Sequence, residues 1–218
     1  MPINVNDTFW DQKSGYHAKR EECTEGQVRR FLLPHILEHI QKESTGSISI
    51  CDFACGAGAV TENVIYLAQK KQVVIEKVML VDVVTDNLEV ALKRLKEKFP
   101  EIPVSYFKCN GRDFKDYTDK KSDFLYCWDA MVHFDIIDIT NYLCTLNQIC
   151  TKTALFHHSN LGQVTTDIRE NPNWRNFMTK DTFAQIAISA GHKVTWQQQI
   201  NWGKTENLDC ITRLSIAG

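Results

Sequence analysis

Asp52-Phe53-Ala54-Cys55-Gly56-Ala57-Gly58 lies between an apolar strand-length run, Ser47–Phe53, and a helical pattern that begins at Ala59. Small residues at 54, 56, 57 and 58 let the backbone turn sharply and approach a ligand closely. A helix starting just beyond aims its first N–H groups at whatever the turn holds. A dinucleotide fingerprint, G-x-G-x-x-G, fits this turn poorly. Counted from Gly56 its third glycine falls on Thr61, and counted from Ala54 its first is already lost. No Gly-Lys-Ser/Thr follows, so a Walker-type phosphate loop is absent. An acidic-x-Gly-x-Gly-x-Gly pattern fits with one change, Ala54 for the first glycine. Alanine is tolerable there if its φ is negative.

Working outward, short apolar runs alternate with helical patterns, the signature of a parallel sheet covered by crossover helices. The strands are predicted at Ser47–Phe53, Lys77–Val83, Val104–Cys109, Ser122–Trp128, Thr153–His158, Lys193–Gln198 and Leu208–Ile216. Helices are predicted at Ala59–Lys70, Asp86–Phe99, Ile136–Leu146 and Lys180–Ala190, the last closed by Gly191 as a C-terminal cap. The final strand pair leaves no room for a helix and reads as an antiparallel hairpin. The expected fold is therefore α/β: a Rossmann-like, seven-stranded, mostly parallel sheet with an antiparallel C-terminal hairpin and helices on both faces. Upstream, Gln27–Ile40 places Val28, Phe31, Leu32, Ile36 and Ile40 near one helical face. Residues 1–44 are expected to form a helical cap or lid, and 45–218 the main domain of a single globular unit.

Acidic and aromatic residues then appear at successive strand ends, where open α/β sheets bind ligands. Asp82 ends the second strand, placed to accept both hydroxyls of a ribose. The interval from Asp52 exceeds the roughly 20 residues usual in such folds, and the insertion Lys70-Lys-Gln-Val-Val-Ile-Glu accounts for the excess. Asn110-Gly-Arg-Asp-Phe114 follows the third strand, and Trp128-Asp-Ala-Met-Val-His-Phe134 the fourth. This series resembles the class I, Rossmann-like, S-adenosylmethionine-dependent methyltransferases over at least residues 45–160. The resemblance implies that Asp52, Ala54, Gly56 and Gly58 cradle the methionine and sulfonium portion of S-adenosylmethionine. It implies that Asp82 and Val83 hold the ribose and flank the adenine, with Asn87 nearby. Asp113 and Phe114 would contact the adenine, Trp128 or Asp129 would border the methionine, and S-adenosylhomocysteine would be the product.

Methyl transfer from a sulfonium uses an already activated cofactor, so the protein mainly aligns the acceptor. A general base is needed when the acceptor is an alcohol, and histidine is the natural choice. His133 follows the fourth strand, and His157-His158 end the fifth. Adjacent strand residues point to opposite sides, so at most one of these two faces the cleft. His133, His158 and His157, with Asp129, are the catalytic candidates. His17, His35 and His39 read as helix-surface residues. The long polar loop 162–178 is expected to face the acceptor. There Arg169 and Arg175 are placed to hold a phosphate or carboxylate, and Trp174 to stack on a ring. Phe9, Trp10 and Tyr16 are expected to fold over the cofactor, while Trp196 and Trp202 pack the hairpin.

Segments 127–134, 156–160 and 208–212 are also similar to bacterial methyltransferases of surface-glycan and sugar modification. O-methylation of a small polar acceptor, possibly a carbohydrate, is the leading expectation. N-methylation of a small amine, and binding of S-adenosylmethionine without catalysis, stay open as alternatives. Trp128-Asp-Ala-Met131 stands where base and amide methylating enzymes carry Asp/Asn-Pro-Pro-Tyr/Phe. With a formal net charge of −2 and pI near 6.4, this argues against a nucleic-acid partner.

The 218 residues, 43% hydrophobic and 24% charged, suit one soluble domain. The eight cysteines are scattered singly and no metal-ligand cluster is apparent, so reduced thiols and no metal are expected. No apolar stretch approaches the roughly 20 residues of a membrane span. A polar start without a basic and apolar leader pattern predicts a cytoplasmic protein, either monomer or homodimer.

Overall fold

The computed structural model describes residues 24–162 and 170–216. The expectations placed on Phe9, Trp10, Tyr16, His17 and Arg169 lie outside these residues.

A π-helical turn, Val28–Leu32, runs straight into α1 (Leu33–Glu43), and Pro34, which has no N–H to donate, falls just past it. Its buried face is Val28, Leu32, Leu33 and Ile36, and it also takes in His35 and His39. The expected surface position of these histidines is therefore corrected. His39 is 6% exposed and meets the Phe124 ring edge-on at 5.6 Å. A neutral imidazole has enough apolar surface to sit in such a seam.

Next come β1 (Ser47–Phe53) and α2 (Ala59–Lys70), both with the predicted bounds. β2 (Val74–Asp82) starts three residues earlier than its apolar run suggests. Its first turns alternate exposed and buried, whereas Val78–Asp82 is buried throughout. α3 (Thr85–Lys98), β3 (Val104–Lys108) and β4 (Ser122–Cys127) follow. The chain continues through α4 (Ile136–Thr145), β5 (Cys150–Ser159), α5 (Lys180–Ser189), β6 (Lys193–Trp202) and β7 (Thr205–Ser215).

The seven strands form one sheet in the order β3-β2-β1-β4-β5-β7-β6. β1 pairs with β2, and β2 with β3, in parallel. β7 runs antiparallel to both β5 and β6. This is the expected Rossmann-like sheet with its C-terminal hairpin. The hairpin strands are longer than predicted because Trp202 pairs with Thr205 across a tight turn, in which Gly203 takes φ 59°. Gly191, at φ 92°, closes α5 as anticipated, with the His192 N–H reaching back to the Ala187 carbonyl at 3.0 Å.

The chain separates into two compact units, one of residues 1–111 with 122–124, the other of 112–121 with 125–218. The glycine turn belongs to the first, and the candidate histidines to the second.

Candidate active site

In the first unit the turn is built from alternate left-handed residues: Ala54 at φ 60°, Gly56 at 51° and Gly58 at 80°. The condition on which alanine is tolerable at position 54, a negative φ, is thus not met. The strand-to-helix reversal demands the left-handed region at this position, where a Cβ costs roughly 1–2 kcal/mol. Ala54→Gly is accordingly expected to stabilise the protein by about 0.5–1 kcal/mol after the extra entropy of glycine in the unfolded chain is subtracted. Thermal unfolding checks this as a rise in Tm of about 1–4 °C, and an unchanged or lower Tm contradicts it.

Gly58 is needed for packing. A Cβ there would lie 2.9 Å from the Ala91 Cβ, so it sets the approach of α2 to α3. Asp52, 2% exposed, sits beneath the turn and accepts the Thr61 hydroxyl at 2.5 Å. Asp82 faces the turn directly. One carboxylate oxygen accepts the Gly56 N–H and the other the Val84 N–H, both at 2.9 Å, and the Asn87 side chain also bonds to it. Burial pushes the Asp82 carboxyl above its ordinary range, and the hydrogen bonds from Val84, Gly56, Val83 and Asn87 act against that shift. The Cys55 thiol is pushed up by burial and by the nearby Asp82 and Asp52 carboxylates, which leaves it unreactive. Val83 is half-buried.

This donor set suits S-adenosylmethionine. A strand-end carboxylate matches ribose hydroxyls, and a turn of short side chains ahead of a helix admits the amino-acid part.

In the second unit, Asp113 accepts the Lys115 N–H at 3.1 Å and pairs with its ammonium at 3.6 Å. Phe114 is fully buried, its ring centroid 4.8 Å from that of Tyr142, and its N–H donates to the Thr145 hydroxyl. Its ring is therefore a core element, which corrects the expected contact with adenine.

His157 and His158 point to opposite sides of β5, as the strand geometry requires, yet both are fully buried. His157 Nδ1 accepts the Asp129 N–H at 3.1 Å, so its proton rides on Nε2 and is donated to Asp209 at 2.9 Å. The ring lies against Trp128 at 4.6 Å and Trp202 at 4.8 Å. His158 donates from Nδ1 to the Ser159 carbonyl, its Nε2 meets the Thr212 hydroxyl, and its ring stacks on Phe183. Burial lowers its pKa to about 3. With every ring nitrogen engaged inside the fold, neither histidine can serve as the base, and both expectations are corrected.

Arg175 is corrected as well. It is 2% exposed and forks onto Asp209, Nε at 2.9 Å and Nη2 at 2.7 Å, with Nη2 also 3.4 Å from Asp129. It therefore anchors the fold and holds no substrate anion. Asp209 is fully buried. Burial alone would raise its pKa, but the bonds and charges of His157 and Arg175 prevail and hold the carboxyl below its ordinary value.

His133 differs from both. Its ring is half-buried, and Nδ1 lies 2.8 Å from the Trp174 carbonyl. A carbonyl only accepts, so the proton sits on Nδ1 and Nε2 is the basic nitrogen. Asp209 and Asn176 were not singled out in the sequence. The one signal for Asp209 is a lone acid inside the apolar strand Leu208-Asp-Cys-Ile. Among the described residues, no three His, Cys, Asp or Glu side chains gather as metal ligands, and no helix is long and apolar enough to cross a membrane.

The fold is the Rossmann-like fold of class I methyltransferases, and solved structures of that class share the architecture. Magnesium protoporphyrin IX methyltransferase from Synechocystis with bound S-adenosylhomocysteine is similar at 12% identity and a TM-score of 0.65, covering 96% of this chain and 90% of that one. Its complex with S-adenosylmethionine gives 11% identity and a TM-score of 0.63, with coverage of 96% and 88%. An S-adenosylmethionine-dependent methyltransferase from Clostridium acetobutylicum gives 13% identity and a TM-score of 0.63, covering 93% of this chain and 99% of that one. No curated protein matches the chain. Residues 30–152 match the ubiE/COQ5 methyltransferase family, and the chain belongs to that family. The expectation of an S-adenosylmethionine-dependent methyltransferase is met.

Proposed function

We propose that the protein methylates a hydroxyl oxygen of a small polar acceptor, such as a sugar or sugar-linked group, with His133 as general base. Bound S-adenosylmethionine supplies a methyl group already activated on a sulfonium. In the first unit, the turn 54–58, Asp82, Val83 and Asn87 are the groups we assign to holding it. The observation that carries the reading is the 2.8 Å approach of His133 Nδ1 to the Trp174 carbonyl. A carbonyl only accepts, so His133 carries its proton on Nδ1 and its lone pair on Nε2, the nitrogen that would take the proton of an attacking hydroxyl. His157 and His158 are fully buried, whereas the His133 ring is half-buried.

The test is His133→Gln assayed on a panel of sugar hydroxyls and small amines. On a hydroxyl acceptor, kcat is expected to fall by about 10²–10⁴-fold and to lose its dependence on a basic group. S-adenosylhomocysteine binding, followed by calorimetry, should hold. Full activity in the variant refutes the base. Turnover on amines alone, indifferent to the substitution, points to N-methylation.

A further inference from the structure

Asn173 and Trp174 both occupy the left-handed region, at φ 52° and 56°. For residues with a Cβ this is a strained arrangement, kept only where the surroundings over-determine it, and such strain gathers at functional sites. The surroundings here can be named. Arg175 turns its side chain back so that Nη1 donates to the Asn173 carbonyl at 3.2 Å, while Nε and Nη2 grip Asp209. The Arg175 carbonyl accepts from the Asn171 side chain at 2.7 Å. Asn176 ties the far end of the turn to the segment after β4. Its N–H reaches the Val132 carbonyl at 2.7 Å, and its amide donates to the Met131 and Phe134 carbonyls at 2.9 and 2.6 Å. Held from both sides, the turn directs the Trp174 carbonyl onto His133 Nδ1.

We propose that Arg175 is a positioning residue for the methyl transfer: anchored on Asp209, it holds the strained Asn173–Trp174 turn so that the Trp174 carbonyl fixes the His133 proton on Nδ1. This rests on the reading of His133 as the base. Only a guanidinium meets the demand, since its rigid fork serves a buried carboxylate and a backbone carbonyl at once. An ammonium on a flexible stem keeps the charge and loses the fork.

The test uses the full chain labelled with 15N-histidine, with His133 assigned by the loss of its resonances in His133→Gln. Above the histidine titration range, wild-type Nδ1 is expected in the protonated range and Nε2 in the unprotonated range. In Arg175→Lys and Arg175→Met, the His133 pair should shift toward the averaged values of an exchanging imidazole. His158, held by Ser159 and Thr212, should keep its wild-type shifts and report the folded state. An unprotonated Nδ1 in the wild type overturns the proposal, as does a wild-type tautomer in either folded variant. Loss of the fold in both variants assigns Arg175 a purely structural role and also overturns it. If the tautomer responds while His133→Gln keeps full turnover, the base reading fails and the anchoring stands. An unmoved tautomer with an inactive His133→Gln is the reverse result.

Discussion

Asp209→Ala should destabilise the protein by about 3–5 kcal/mol, the range for removing one partner of a buried ion pair. The substitution leaves the Arg175 guanidinium, 2% exposed, with only the Asn173 carbonyl and a longer contact to Asp129. It also removes the acceptor for the His157 Nε2–H, which is itself pinned by the Asp129 N–H on Nδ1. Two buried donors therefore lose their acceptor together. Urea unfolding gives the measurement, with a Tm lowered by about 6–20 °C as the thermal counterpart. Asp209→Asn retains volume and one acceptor, and should lose less. A loss below about 1 kcal/mol in the alanine variant would mean that the network contributes little to stability.

The second large effect is acid sensitivity through His158. In the fold its pKa is lowered to about 3 because burial penalises the charged ring. In the unfolded chain it titrates near 6.5. Between these values the unfolded state binds a proton that the folded state refuses, so stability rises with pH across the window and is lost on acidification. The slope approaches 1.4 kcal/mol per pH unit, or about 2–3 kcal/mol between pH 7 and pH 4.5. Below about pH 3 both states carry the proton and this contribution stops changing. Unfolding free energies of wild type and His158→Gln at both pH values isolate the effect, because the other titrating groups cancel in the difference. Equal pH dependence in the two proteins would show that His158 is protonated in the fold without penalty.

The glycine turn, its flanking strand and helix, and Asp82 were legible because each is a local pattern. Alternation of apolar runs sets strand and helix, and β1 and α2 fall at their predicted bounds. Strand ends were less legible at β6 and β7, whose extra residues are polar and exposed and gain their pairing only from the hairpin partner. The histidines mark the boundary between the two kinds of information. Sequence placed His157 and His158 correctly at the end of β5 and on opposite sides of it, but strand position carries no word about depth.

What the sequence by itself determined is the order of elements, the cofactor class and the acid at each strand end, all carried by short-range patterns and spacing. Only the tertiary structure decided which polar groups are consumed by the fold. His157, His158 and Arg175 read as catalytic or substrate-holding groups along the chain. Asp209, 34 residues from Arg175 and 52 from His157, claims both. Thr212 and Ser159 likewise occupy His158, and the carbonyl of Trp174 takes up His133 Nδ1. The physical reason is that a buried polar group must find a partner, and the partner is chosen by what the fold brings within 3 Å or so. That proximity is between residues far apart in sequence, where no local pattern records it.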